Sequence, residues 1–198
     1  MGFKLGKNKI EKLKHKYFPK DKKELKEILY ERLEEDKNAD LNDIDVSNID
    51  KLNGLFTDLD PHNIDISEWN VSNVTTIYGM FFGCTNLNCD LSDWDVSSVQ
   101  DMRSIFRECA SFEGIGLENW DVSNVMDMSN MFENCENFNC DLSKWDVHNV
   151  KDMYKMFYKC ESFEGKGLEN WNTSNVRDMR LMFSGCDSLK NKPSWSKS

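Results

Sequence analysis

The 198-residue chain has very little with which to enter a membrane. A spanning helix needs about 20 consecutive apolar residues, and the apolar runs here are as short as Ile28-Leu29-Tyr30 and Met80-Phe81-Phe82. Met1 to Lys16 is rich in lysine but has no apolar segment behind it. It does not read as a secretory signal, so the chain as written is expected to be cytoplasmic, without membrane insertion. Positive charge is also scarce. Lys and Arg number 25 against 35 Asp and Glu, a net charge of −10 with a mean hydropathy of −0.66, which disfavours nucleic acid as a partner. The only histidines, His15, His62 and His148, suggest no Ser-His-Asp or Cys-His pairing, and phosphate-cradling glycine loops are absent. No enzyme activity, metal or cofactor is expected.

What charge there is falls unevenly. Met1 to Asp36 holds eleven basic and eight acidic residues, leaving a net −13 for Lys37 to Ser198. This divides the chain into 1–36, a basic arm with an amphipathic helix, and 37–198. Within the first part, Leu25, Ile28, Leu29 and Leu33 form one stripe at helical spacing, and Glu24 follows Asp21 by three residues as in a capping box. A helix from Asp21 to about Glu35 is expected. Its stripe is read as covering the open end of an array, in preference to a membrane- or nucleic-acid-binding arm.

The second part is a repeat. Trp recurs at 69, 94, 120, 145, 171 and 195 and Cys at 84, 109, 135, 160 and 186, both in steps of 24 to 26 residues. Each unit reads like Trp120-Asp121-Val122-Ser123-Asn124-Val125, then Met128 to Phe132, then x-x-Cys. Ile44 to Leu59 is a degenerate first copy, and Trp195 opens another. A unit of this length cannot bury its own apolar face, so neighbours must stack. Alternation in Cys89-Asp90-Leu91-Ser92 predicts a short strand. Val125, Met128, Met131 and Phe132 predict a short helix, capped by pairs such as Asn124 with Asp127, Ser98 with Asp101, Asn149 with Asp152 and Asn175 with Asp178. The expected fold is an α/β solenoid, a leucine-rich-repeat-like stack of about six strand-plus-short-helix units with its sheet on the concave side. Lys190, Lys192 and Pro193 are expected to block the last edge strand, as in a complete small solenoid.

The run Phe-x-x-Cys-x-x-Leu/Phe (Phe81 to Leu87, Phe106 to Phe112, Phe183 to Leu189) resembles the BspA-like leucine-rich repeats. The fuller Trp-Asp-Val-Ser-Asn-Val-x-Asp-Met-x-x-Met-Phe unit is similar to their Trp-containing subgroup, found in bacterial surface proteins and mycoplasmal lipoproteins. The resemblance spans about Ile44 to Trp195. It implies a leucine-rich-repeat-like solenoid, attachment to host or matrix proteins, and a surface or secreted location; it carries no catalytic residues.

The five periodic cysteines suit a reduced core column better than disulfides or zinc, since no Cys-x-x-Cys occurs. The Trp, Met and Phe columns read as core. Four and two residues before Trp stand Asp65, Asp90 and Asp141, and Glu118 and Glu169, which predict an acidic concave stripe for a docked protein. Tyr154, Lys155 and Tyr158, among Arg103, Arg107, Lys151, Lys159, Arg177 and Arg180, form a second, basic and aromatic patch on the expected helical side. The expected function is a non-catalytic protein-binding repeat module with its partner on the acidic stripe. The alternative is a self-associating structural protein.

Overall fold

The computed structural model describes residues 14–196; most of the basic arm, 1–13, lies outside the described residues. Helix α1, Lys22–Glu35, begins where its cap dictates. The Asp21 carboxylate accepts from the Glu24 backbone N–H at 2.9 Å, and the Glu24 carboxylate accepts from the Lys20 N–H at 2.9 Å. Leu25, Leu29 and Leu33 are buried in the same core as the repeats. At the C-terminal end of α1, Arg32 holds the Asp43 carboxylate at 2.9 Å and the Asp40 carbonyl at 2.6 Å.

Beyond α1 the expected architecture does not form. There is neither an α/β solenoid of strand-plus-helix units nor a leucine-rich-repeat sheet: after α1 no further α-helix follows among the described residues. The other elements are the 3-10 turns η1 (Leu117–Asn119), η2 (Leu168–Asn170) and η3 (Ser194–Ser196). In place of a sheet stand single parallel bridges, among them Lys51 to Thr76, Thr76 to Asp101, Asp101 to Asp127, Asp127 to Asp152 and Asp152 to Asp178.

The physical reason lies in the turns. Apolar residues three apart flank successive tight turns and point inward: Trp69 N–H donates to Ile66 O at 3.1 Å, Val74 to Val71 at 2.8 Å, Met80 to Ile77 at 3.0 Å and Cys84 to Phe81 at 3.0 Å. A spacing of three is shared by a helix face and a series of four-residue turns. Within the stretch expected to be helical, φ is positive at Gly54, Gly79, Ser104, Asn130, Lys155 and Leu181, and again four residues later at Asp58, Gly83, Glu108, Asn134, Lys159 and Gly185. A left-handed residue ends a right-handed helix. The amides it releases bond to the next unit instead: Met128 N–H to Asp152 O at 3.0 Å, Asn130 to Tyr154 at 2.8 Å, Phe132 to Met156 at 2.9 Å and Asn134 to Tyr158 at 2.8 Å. The same pattern joins every neighbouring pair from Leu52 to Ser184.

The expected helix caps are therefore not caps. Asp101, Asp127, Asp152 and Asp178 close local turns on the N–H groups of Arg103, Ser129, Tyr154 and Arg180. The Asn124, Asn149 and Asn175 amides donate back to the Ser97, Ser123 and His148 carbonyls of the preceding unit. The expected strand Cys89–Ser92 is a turn held by the Asp90 carboxylate on Ser92 N–H at 2.9 Å, and its link onward is Leu91 N–H to Ile115 O at 3.3 Å. Backbone pairing thus concentrates in the stretch expected to be helix and is sparse in the stretch expected to be strand. Lys190, Lys192 and Pro193 likewise lie in no strand.

Inside, the indoles of Trp69, Trp94 and Trp120 stack at 6.5 and 6.4 Å between ring centres, and Phe81, Phe106, Phe132, Phe157 and Phe183 stack at 5.6 to 5.8 Å. All seven cysteines are free and buried.

Candidate functional site

The acidic stripe is mostly turn chemistry. The Asp65 carboxylate accepts from the Ser67 N–H at 3.1 Å and hydroxyl at 2.7 Å, and Asp90 and Asp141 accept from the N–H of Ser92 and Ser143, each at 2.9 Å. The hydrogen bond from the Ser67 hydroxyl leads in holding Asp65 below its ordinary pKa, and the Ser143 N–H does the same for Asp141. In alternate units Gly116 and Gly167 take the Asp place, at φ +89 and +86, and open η1 and η2, which carry Glu118 and Glu169. Glu169 is exposed; Glu118 is partly covered, 4.0 Å from the Cys140 sulfur. Among the described residues there is no sheet and so no concave sheet face, and these five carboxylates sit mostly on turns.

The second patch is organised differently. The bridged stretch forms a ladder, and its outward positions carry rings with a cation from the same or the next unit over each. Arg103 lies 4.9 Å over Tyr78, Arg107 5.3 Å over Phe82, and Arg180 5.6 Å over Tyr154. The Lys155 ammonium sits between two rings, 5.5 Å from Tyr154 and 4.8 Å from Tyr158, and Lys159 is 5.7 Å from Tyr158.

Beneath them Glu133, only 5% exposed, pairs with Lys155 at 3.1 Å and Arg107 at 3.0 Å. The hydrogen bond from Lys155 to Glu133 raises the ammonium's pKa, so it stays charged. A groove of about 230 Å³ opens beside the left-handed Gly54 and Gly79, walled by Tyr78, Phe82 and Arg107.

The structure therefore brings together Tyr154, Lys155 and Tyr158, and ties Asp65, Asp90 and Asp141 each to its own local turn. Tyr78, Phe82 and Glu133 are further members of the ladder face that the sequence reading did not single out. Aligning the units would have found the two rings, since Tyr78 and Phe82 hold the places of Tyr154 and Tyr158. Glu133 gives no such signal, because its place holds Arg107 in one neighbour and Tyr158 in the other. Among the described residues no group of three or more His, Cys, Asp or Glu is placed to hold a metal, and no helix is long and apolar enough to cross a membrane.

Residues 23–116 and 111–198 each match the family model described as Mycoplasma protein of unknown function, DUF285. No curated protein and no solved structure matches the chain. The chain belongs to the DUF285 family.

Proposed function

We propose that this DUF285 family member is a non-catalytic protein-binding module that presents its ladder face to a protein partner. The observation that carries the reading is the repeated pairing of an outward ring with a guanidinium or ammonium, from Tyr78 with Arg103 to Tyr154 with Arg180. Tyr and Arg are among the side chains that dominate binding energy at protein interfaces, Tyr because its ring buries a large area with two torsions to fix and Arg because its planar guanidinium offers several donors and stacks on rings. Tyr78 is 46% exposed and fills no core position, so folding does not account for its ring. The acidic stripe supports docking less well, because a carboxylate that closes a turn is already hydrogen-bonded. The resemblance of the repeat to Trp-containing surface proteins adds the expectation of an extracellular partner.

The test is retention of partners from host-matrix extract and from lysate of the producing cell. The baits are wild type, a ladder variant (Tyr78→Ser, Tyr154→Ser, Tyr158→Ser) and a stripe variant (Glu118→Lys, Glu169→Lys), each verified as folded. A partner kept by the stripe variant and lost by the ladder variant supports the reading. Loss with the stripe variant alone moves the site to the carboxylates, and retention by all three excludes both surfaces.

A further inference from the structure

The ladder has a direction. In the stretch from Leu52 onward, alternate N–H groups point to the following unit and alternate carbonyls to the preceding one, so one end of the stack presents carbonyls and the other N–H groups. The carbonyl end is closed by α1: the Lys22 ammonium donates to Asn53 O at 2.9 Å and the Lys26 ammonium to Thr57 O at 3.2 Å. Two lysines one helical turn apart thus match two carbonyls of the first unit, and the leucine stripe beside them covers the core.

At the other end the N–H groups of Met179, Leu181, Phe183 and Gly185 occupy the donor positions of the ladder and have no acceptor among the described residues. Their counterparts one unit earlier, Met153, Lys155, Phe157 and Lys159, all donate, to Asp178, Arg180, Met182 and Ser184. The intervening amides of Arg180, Met182 and Ser184 are bonded within their own turns, so the four donors form a row of every second N–H, with left-handed backbone at Leu181 and Gly185, and a row of N–H dipoles without acceptors favours a negative partner. A cavity of about 720 Å³ lies there, with Val176, Met179 and Leu181 as apolar lining and Arg177, Arg180 and Lys192 as cations. Arg180 is paired with Asp178, whereas Arg177 and Lys192 have no ion-pair partner among the described residues.

We propose that this open end docks an acidic amphipathic helix of a partner protein, the charge-inverted counterpart of α1, with carboxylates one turn apart on the N–H row and an apolar stripe over Val176, Met179 and Leu181. The charges are complementary, and α1 shows that a helix spans the stack and places two side chains on alternate backbone groups. A second copy is the poorer occupant, because the leucine stripe of its α1 is already buried.

The probe is the α1 peptide, Lys22 to Glu35, carrying Lys22→Glu and Lys26→Glu and stapled through the outward positions 23 and 27; the unsubstituted stapled peptide is the control. Amide exchange is followed by NMR in the full chain. In the free protein the amides of Met179, Leu181, Phe183 and Gly185 exchange at least tenfold faster than those of Met153, Lys155, Phe157 and Lys159. The acidic peptide slows the four by tenfold or more and the control does not; in an Arg177→Glu, Lys192→Glu variant whose interior amides stay protected, the slowing is lost. No slowing, or equal slowing by both peptides, overturns the proposal. Protection that grows with protein concentration alone assigns the end to a second copy and overturns it as well.

Discussion

Each indole does two things at once. It fills the core, and its Nε1–H donates to a carbonyl about one unit back, as Trp145 does to Leu117 O at 2.8 Å and Trp94 to Ile66 O at 2.9 Å. Replacing Trp145 with Phe keeps a ring but orphans the Leu117 carbonyl; with the lost volume the cost is about 2–4 kcal/mol, read from urea midpoints. The cysteines act in the same way. Cys135 donates to Phe106 O at 2.8 Å and Cys160 to Phe132 O at 3.0 Å, and burial pushes the thiols up, to about 12 in Cys89 and Cys140 and about 11 in Cys186. With so little thiolate at pH 8, a disulfide reagent should label none of the seven within minutes in the native protein and all of them after unfolding; rapid native labelling would contradict the burial. Glycine divides sharply by place. A Cβ on Gly116 would lie 2.3 Å from the Ser92 nitrogen, whereas one on Gly83 meets nothing within 4 Å. Gly116→Ala should therefore cost several kcal/mol or abolish folding, and Gly83→Asn about 1 kcal/mol or less, by thermal melts of the two.

At the scale of the element, α1 was legible and the rest was not, for one physical reason. The signals for α1, a cap, a carboxylate three residues on and a stripe of four apolar residues, have no competing reading in a segment without a repeat. In the units, Val125, Met128, Met131 and Phe132 satisfy a helix and a series of turns equally, and only the left-handed backbone at Asn130 and Asn134 decides. Asn is a fair hint of that conformation, but the same two places hold Lys155 and Lys159 in the next unit, where composition gives none. The turns that replace helix and strand lean on carboxylates, and this makes them acid-labile. Asp178 is drawn down to about 2, chiefly by the hydrogen bond from Arg180, and Asp65, Asp95, Asp141 and Asp146 are also lowered by hydrogen bonds within their turns. A carboxyl lowered in the folded state contributes stability that is present above its unfolded value near 3.8 and lost as pH falls through the folded one. Asp152, raised by burial, acts in the opposite sense. The melting temperature should therefore drop between pH 4 and 2, and Asp178→Asn, which keeps an acceptor for the Arg180 N–H, should flatten that drop.

At the scale of the molecule, the repeat period and the identity of the core columns were evident from Trp and Cys spacing alone, whereas the surface was not. The Asp, Ser and Glu before each Trp look like a stripe because they recur, yet recurrence is also what a structural turn requires. The patch around Tyr154, Lys155 and Tyr158 recurs only loosely, and its outward rings answer to no need of the fold. The direction of the ladder, which gives the stack one end closed by lysines and one end whose N–H groups have no acceptor among the described residues, comes from backbone conformation and leaves no trace in side-chain patterning. The ladder face and the N–H row at its end both depend on the pairing of left-handed stretches between neighbouring units. The direct test is the through-hydrogen-bond scalar coupling of the Lys155 amide in isotope-labelled protein. A coupling from Lys155 N to the Arg180 carbonyl, with a strong intraresidue NOE marking positive φ at Lys155, is the predicted result. A coupling from Lys155 to the carbonyl of Lys151, four residues back as in an α-helix, would contradict the account.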